Sequence, residues 1–277
     1  MLQTLPKLTI PASAFSMHFY RQYRDVGPVV KLSAHLRPGG ISQVILTAPG
    51  KDIPNIVVGV NQDIVNTDTD NILRSELHHQ CYSTDHPCDG QTYGIEKGHI
   101  ETVHAYTSDQ NLPDNFHRKP RRGRGAPINM VITKTGAAAA VAKVLPQLKG
   151  KLTGNAVRVP VPMCPWLSST KSRSDHQHGC EIFESLRKAA YYGELAEQLQ
   201  YSTSNEYVSS NAIGSTVASV LDAPSTILSN DGRTVTLYAW YDNEYGYTCQ
   251  VVRLAKYVAK VRKVYLLLIR WMRPQIN

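Results

Sequence analysis

The sequence predicts an α+β domain, with helices packed on one face of a sheet, joined to a short α/β segment. Two observations carry this. Between about residues 93 and 241, strand-like apolar runs are punctuated by only two amphipathic helices. Between 31 and 60, a short helix is followed by two continuous apolar strands, which is the alternation of an α/β unit. A last amphipathic helix follows the final strand.

The elements follow in order. Residues 1–30 show no clean period and stay unassigned. Residues 31–36 read as a helix stopped by Pro38-Gly39-Gly40, and 44–47 as a buried strand closed by Ala48-Pro49-Gly50. A second buried strand is expected at 56–60 and another at 99–107. Residues 111–129 form a polar loop rich in Arg and Pro. Ala137, Ala140, Val141, Val144, Leu145 and Leu148 recur at helical spacing and define a helix over 136–148. A strand at 155–162, a helix at 184–199 and strands near 206–209, 216–221, 226–229 and 234–241 complete the domain. The last helix carries Tyr247, Val251, Leu254, Ala255 and Val258 on one stripe. Two windows, 74–92 and 163–181, are polar, rich in His and Ser, and aperiodic, which is anomalous inside a compact domain.

The chain has 277 residues, with 30 Lys and Arg against 22 Asp and Glu, a net charge of +8. That excess favours an anionic partner: a phosphorylated metabolite, a dinucleotide or nucleic acid. The densest basic patch is Arg118-Lys119-Pro120-Arg121-Arg122-Gly123-Arg124. Five cysteines, an odd number, without a secretory layout at the start indicate a reducing compartment, so a cytoplasmic location is expected. The apolar run at 264–269 is far short of the ~20 residues that span a bilayer. No membrane partner is expected.

The most informative string is Tyr241-Asp242-Asn243-Glu244-Tyr245-Gly246-Tyr247. A buried strand enters it and a helix leaves it, and Asn243 is placed to act as the helix N-cap. The string resembles the signature that opens the last helix of phosphorylating glyceraldehyde-3-phosphate dehydrogenases. Other segments share the resemblance, in order and spacing: Leu46-Thr47-Ala48-Pro49-Gly50-Lys51, Val58-Gly59-Val60-Asn61, Val103-His104-Ala105-Tyr106-Thr107, Arg121-Arg122-Gly123-Arg124, Thr135-Gly136-Ala137-Ala138, Gly150-Lys151-Leu152-Thr153-Gly154 and Arg158-Val159-Pro160. It covers roughly 32–73, 93–162 and 182–263. Together these motifs are specific where each alone is weak.

The resemblance implies an α+β catalytic domain of the glyceraldehyde-3-phosphate dehydrogenase type over 74–241, with a remnant of an α/β dinucleotide-binding (Rossmann) domain over 31–73. The helix at 242–263 would return to that remnant, and 264–277 is an unassigned tail. It implies the family reaction: a cysteine thiolate attacks the aldehyde of glyceraldehyde 3-phosphate, a hydride passes to NAD, and inorganic phosphate cleaves the thioester. His104 matches the histidine that stabilises the thiolate and moves the proton. Thr107, Asp109 and Arg158 match the positions around the substrate phosphate; Thr135, Gly136 and Arg122 match those around the attacking phosphate, with Gly136 at a helix start. Asn243 matches the holder of the nicotinamide carboxamide and Tyr247 a neighbour of the ring. A homotetramer is the family's assembly. Erythrose-4-phosphate dehydrogenase is the neighbouring specificity, but the His104 and Thr135 segments look more like the glyceraldehyde enzyme.

Three departures stand out. Residues 1–31 hold no G-x-G-x-x-G loop to admit a pyrophosphate, and no acidic ribose ligand follows. Most of the expected dinucleotide domain is therefore missing, and NAD binding is doubtful. The family's Ser-Cys-Thr-Thr-Asn-Ala is also missing after Ile72-Leu73. Residues 76–82, Glu-Leu-His-His-Gln-Cys-Tyr, can be encoded by GAG CTG CAC CAC CAA TGC TAT. Read one base later, that string gives Ser-Cys-Thr-Thr-Asn-Ala. Met163-Cys164-Pro165-Trp166-Leu167-Ser168-Ser169-Thr170 behaves likewise, giving the family's Asn-Val-Ser-Leu-Ala-Ile-Leu-Asn one base earlier. A displaced reading frame over both windows is expected, replacing a core helix and a core strand, with the terminal helix's apolar stripe left facing water. Cys81 lies near the right place but lacks the helix N-terminal context that activates a thiol. The expectation is an inactive dehydrogenase-like chain. A rival reading takes His78, His79, Cys81, His86 and Cys88 as zinc ligands, though Cys81 and Cys88 are not at finger spacing. Nucleic-acid binding rests on net charge alone and is not expected.

Overall fold

The structure, a computed structural model, describes residues 44–47, 53–66, 72–75, 95–161, 166–173, 179–193 and 195–259. The chain divides into two compact units: Met1–Pro54 with Asp63–Arg74 and Val251–Asn277, and Asn55–Gln62 with Ser75–Gln250.

Strand β1 (Val44–Leu46) is a continuous buried apolar run, as expected. The expected strand at 56–60 shortens to β2 (Asn55–Ile56). Turn chemistry ends it: the Val57 N–H donates to Asn61 Oδ1 at 2.7 Å, Gly59 takes φ 89°, and its N–H donates to Gln62 Oε1 at 2.6 Å. A positive φ is a conformation glycine adopts without steric cost. In the smaller unit, β3 (Ile72–Ser75) runs parallel to β1 with Val44 beside Ile72.

The larger unit is built on an eight-stranded sheet. Its members are β4 (Ile95–Ala105), β5 (Val131–Lys134), β6 (Leu152–Val159), β7 (Trp166–Arg173), β8 (Leu199–Ser202), β9 (Ser219–Asp222), β10 (Ile227–Leu228) and β11 (Thr234–Trp240). Their order is β5-β6-β4-β7-β11-β9-β8, with β10 on β11. β4 and β6 are parallel; β5 closes one edge antiparallel to β6. The alternation of β11 buries Val235, Leu237 and Ala239 on one face, the period-two signal of a half-covered strand.

Helix α1 (Ala137–Val144) covers one end of the sheet. Its Val141 packs with Ile95, Ile100, Leu148, Ala218 and Tyr241. Helix α2 (Gly179–Tyr191) covers the other, where Ile182, Leu186, Ala189 and Ala190 meet Leu199, Leu221, Val235 and Leu237. Burial of each such branched side chain contributes about 1.5–3 kcal/mol. Helices on one sheet bear out the α+β reading.

Several expectations change. The helix expected over 184–199 ends at Tyr191, because Gly193 donates back to Lys188 O at 3.1 Å and turns the chain into β8. The strand expected at 206–209 is instead a turn entering a 3-10 helix, Ser209–Ala212. The window 163–181 does not break the sheet. β7 pairs with β4 on one side and β11 on the other, so neighbouring strands rather than local composition hold it extended. Helix α3 (Tyr245–Val258) does not leave its stripe in water: Val251 and Leu254 are fully buried and Val258 nearly so. Tyr257 Oη donates to Asp63 Oδ1 at 3.3 Å within the smaller unit. The reading of 74–92, with its frame argument, and the zinc set His78, His79, Cys81, His86 and Cys88 lie outside the described residues.

Candidate active site

The parallel register of β4 and β6 sets His104 beside Arg158 and Ala105 beside Val159 at the carboxyl ends of both strands. Arg158 Nη1 donates to Ala105 O at 3.0 Å and lies 2.6 Å from His104 Nδ1, which is itself 2.7 Å from Ala105 O. A guanidinium only donates and a carbonyl only accepts, so Nδ1 faces a donor and an acceptor at once and its role depends on the ring's tautomer. Burial, then the Arg158 charge, pushes the His104 pKa from 6.5 down to about 4; the Ala105 carbonyl and a hydrogen bond with the Asn243 side chain oppose that shift. The ring is therefore neutral near pH 7.

Beyond β4 the chain turns, with Gln110 N–H donating to Thr107 O at 2.9 Å. The turn presents Asp109, which pairs with Arg122 from the 3-10 turn Pro120–Gly123. Asn111 N–H to Arg122 O at 3.0 Å ties the two segments together. His117 Nε2 approaches the other Asp109 oxygen at 3.8 Å. Arg158 is held below the usual arginine range, first by burial and also by the charge of Arg122, while Tyr241 opposes the shift.

The 241–247 corner is explained residue by residue. Asp242, not Asn243, caps α3: its Oδ1 accepts from Glu244 N–H at 2.8 Å and Tyr245 N–H at 2.7 Å. Its Oδ2 accepts from Gly214 N–H at 2.8 Å. Asp242 stands two and three residues ahead of the free N–H groups, the spacing an N-cap needs, and its second oxygen is left for Gly214. A Cβ at Gly246 would sit 3.1 Å from Val217 O, so the helix start lies close against that segment. Tyr241 and Tyr247 belong to the α1 core. This framing leaves the Asn243 side chain to His104.

Thr135 and Gly136 stand at the start of α1. Ala137 N–H donates to Thr135 Oγ1 at 3.2 Å, and open space faces Gly136. Thr135 lies against Gly154, four residues before Arg158 on β6, roughly 13 Å along the strand at about 3.3 Å per residue. The structure thus brings His104, Arg158, Asn243, Arg122 and Asp109 together, follows them with the Thr107 turn, and places Thr135 and Gly136 farther along the sheet.

A model of the glyceraldehyde 3-phosphate dehydrogenase C-terminal domain matches residues 90–243, which span the sheet and every residue above up to Asn243. The chain belongs to the glyceraldehyde-3-phosphate dehydrogenase family. A glyceraldehyde-3-phosphate dehydrogenase-like protein of Pseudomonas aeruginosa is 48% identical over 231 residues, which are 83% of this chain and 50% of that protein. Glyceraldehyde-3-phosphate dehydrogenases of Borreliella burgdorferi and Geobacillus stearothermophilus are 40% and 41% identical over 228 residues, covering 82% and 81% of this chain and 68% and 67% of theirs. The chain thus spans about half the length of the first relative and about two thirds of the others.

His117 escaped the sequence reading, and Asp242 and Tyr241, though inside the 241–247 string, were given no role there. Asp242 was findable, since an acidic residue just ahead of a helix start is a cap signal. The roles of Tyr241 and His117 carry no local signal, because only the fold sets them by Arg158 and Asp109. Among the described residues, no helix is long and apolar enough to cross a membrane.

Proposed function

We propose that this chain is a glyceraldehyde-3-phosphate dehydrogenase-like protein that keeps the family's phosphate-gripping half and does not turn over. The observation that carries the reading is the convergence of Arg158 and Arg122 beside a buried, neutral His104. In this reading Arg158, Thr107 and Asp109 hold the phosphate of a small phosphorylated aldehyde. Thr135 and Gly136 hold inorganic phosphate at the start of α1, with Arg122 reaching toward it once released from Asp109, and His104 is the proton carrier. Arginine forks suit phosphate oxygens, and free N–H groups at the start of α1 suit an anion.

Inactivity follows from the residues around the missing thiol. No Ser-Cys-Thr-Thr-Asn-Ala follows Ile72-Leu73, and Cys81 sits in a His-His-Gln-Cys-Tyr string. A displaced reading frame over 74–92 accounts for both, and the gene's codons test it directly. The family is NAD-dependent, with Asn243 and Tyr247 at the nicotinamide positions. Among the described residues, Asn243 is engaged with His104, so its amide would have to leave that bond to hold a nicotinamide carboxamide. We extend the reading to a cytoplasmic homotetramer. The exposed Phe116, Ile128, Met130 and Ile132 support assembly, since monomers rarely leave such side chains together in water.

Two assays decide. Incubation with glyceraldehyde 3-phosphate, NAD and phosphate should give no NADH absorbance; measurable turnover defeats the inactive reading. Sulfate or phosphate should bind, and Arg158→Gln should weaken that binding at least about tenfold, in line with loss of a charge-assisted contact. Equal binding by the variant removes the anion site.

A further inference from the structure

Resting on the anion-site reading above, we propose that Gly246 and Gln250 are positioning residues for that site: they seat the start of α3 against residues 215–217, and so set Asn243 on His104 and, through it, Arg158.

Asp242, Gly246 and Gln250 are four residues apart, so they fall on one side of the helix and its cap. All three meet the 214–217 segment. Asp242 Oδ2 accepts from Gly214 N–H at 2.8 Å. A Cβ at Gly246 would stand 3.1 Å from Val217 O and 3.4 Å from Ser215 O, so backbone lies against backbone there. Gln250 Nε2 donates to Thr216 O at 3.4 Å. Gly214 takes φ 78°, a conformation glycine adopts without steric cost. One short segment thus holds the cap, the first turn and the second turn of α3, and Asn243, one residue past the cap, is carried by that placement.

Gln250 shows what the contact adds. It is 1% exposed, and among the described residues its Oε1 is buried without a partner. Burying an unmade hydrogen bond is costly. Packing alone would favour an apolar side chain of similar length, such as methionine. The amide's contribution is its donor to Thr216 O. From the helix start the contacts continue into the site. The Asn243 side chain bonds His104, and His104 Nδ1 lies 2.6 Å from Arg158 Nη1. A guanidinium fork grips a tetrahedral anion through matched geometry, so a shift of α3 against residues 215–217 is read as anion affinity.

The test is sulfate calorimetry on the full chain. Gly246→Ala and Gln250→Met should each weaken sulfate binding at least about twofold, the scale on which residues outside a site modulate it. Asn243→Ala should weaken it too, and in that background neither substitution should weaken it further, because the route is already cut. The His104 imidazole nitrogen resonances should move in Gln250→Met as they do in Asn243→Ala. The urea midpoint of Gln250→Met should not fall below wild type, since the orphaned oxygen is gone. A stable variant with weakened binding separates positioning from support of the fold, whatever Gly246→Ala does to folding. Effects that add in the Asn243→Ala background, unmoved resonances, a lowered midpoint or unchanged affinity in Gln250→Met would each overturn the proposal and leave the anion site standing. Sulfate binding that is absent in wild type, or insensitive to Arg158→Gln, overturns the site itself and this inference with it.

Discussion

Replacing Asp242 by alanine removes three hydrogen bonds at one point: two to the first N–H groups of α3 and one to Gly214 N–H. Asp242 is 1% exposed, so water does not readily substitute for it. Loss of the N-cap costs about 0.5–2 kcal/mol. The orphaned Gly214 donor, formerly bonded to a charged acceptor, adds about 1.5–3 kcal/mol. The expected total is about 2–5 kcal/mol, a large share of the 5–15 kcal/mol typical of a domain. Asp242→Asn keeps one oxygen for the cap and loses the acceptor facing Gly214, so it should fall between wild type and alanine. Urea unfolding followed by circular dichroism measures both midpoints. A loss under about 0.5 kcal/mol for alanine, or asparagine worse than alanine, would refute the reasoning. Because the cap also frames Asn243, the alanine variant should disturb the His104 imidazole resonances.

His104 makes stability pH-dependent in a defined direction. Its folded pKa of about 4 lies below the 6.5 of the unfolded chain, so between those values the unfolded state binds more protons. The contribution is complete above 6.5, declines as pH falls, and is gone below about 4; it amounts to about 3 kcal/mol at most. Urea midpoints against pH should therefore be flatter in His104→Gln than in wild type, and parallel curves would count against a buried neutral ring. Gly123→Ala forces a methyl onto Asn115 O and should cost about 1–3 kcal/mol, read as faster hydrogen exchange at Asn111 and Asn115. Unchanged exchange would mean the loop has room to yield. Proteolysis offers another check on β7: Trp166–Arg173, paired on both sides, should resist cleavage like β4, and early nicking there would contradict its central place.

The strand β11 and the helices α1 and α3 were legible because each has one apolar face meeting one core, and periodicity reports that directly. His104, Arg158 and the 241–247 corner were legible as a pattern because ordered motifs survive in the chain. The strand β8 was hidden behind a helix-like run, and β7 behind a polar composition. Both form because neighbouring strands offer partners, which no local propensity encodes.

By itself, the sequence determined the α+β class and the family. Those depend on residue type and order along the chain. Only the tertiary structure decided that Asp242 rather than Asn243 caps the helix, that Arg158 presses on His104, and that Asp109 stands between Arg122 and His117. Hydrogen bonds and Coulomb forces act over a few ångströms in space, and a parallel register can bring residues 104 and 158 to adjacent positions that chain separation does not reveal.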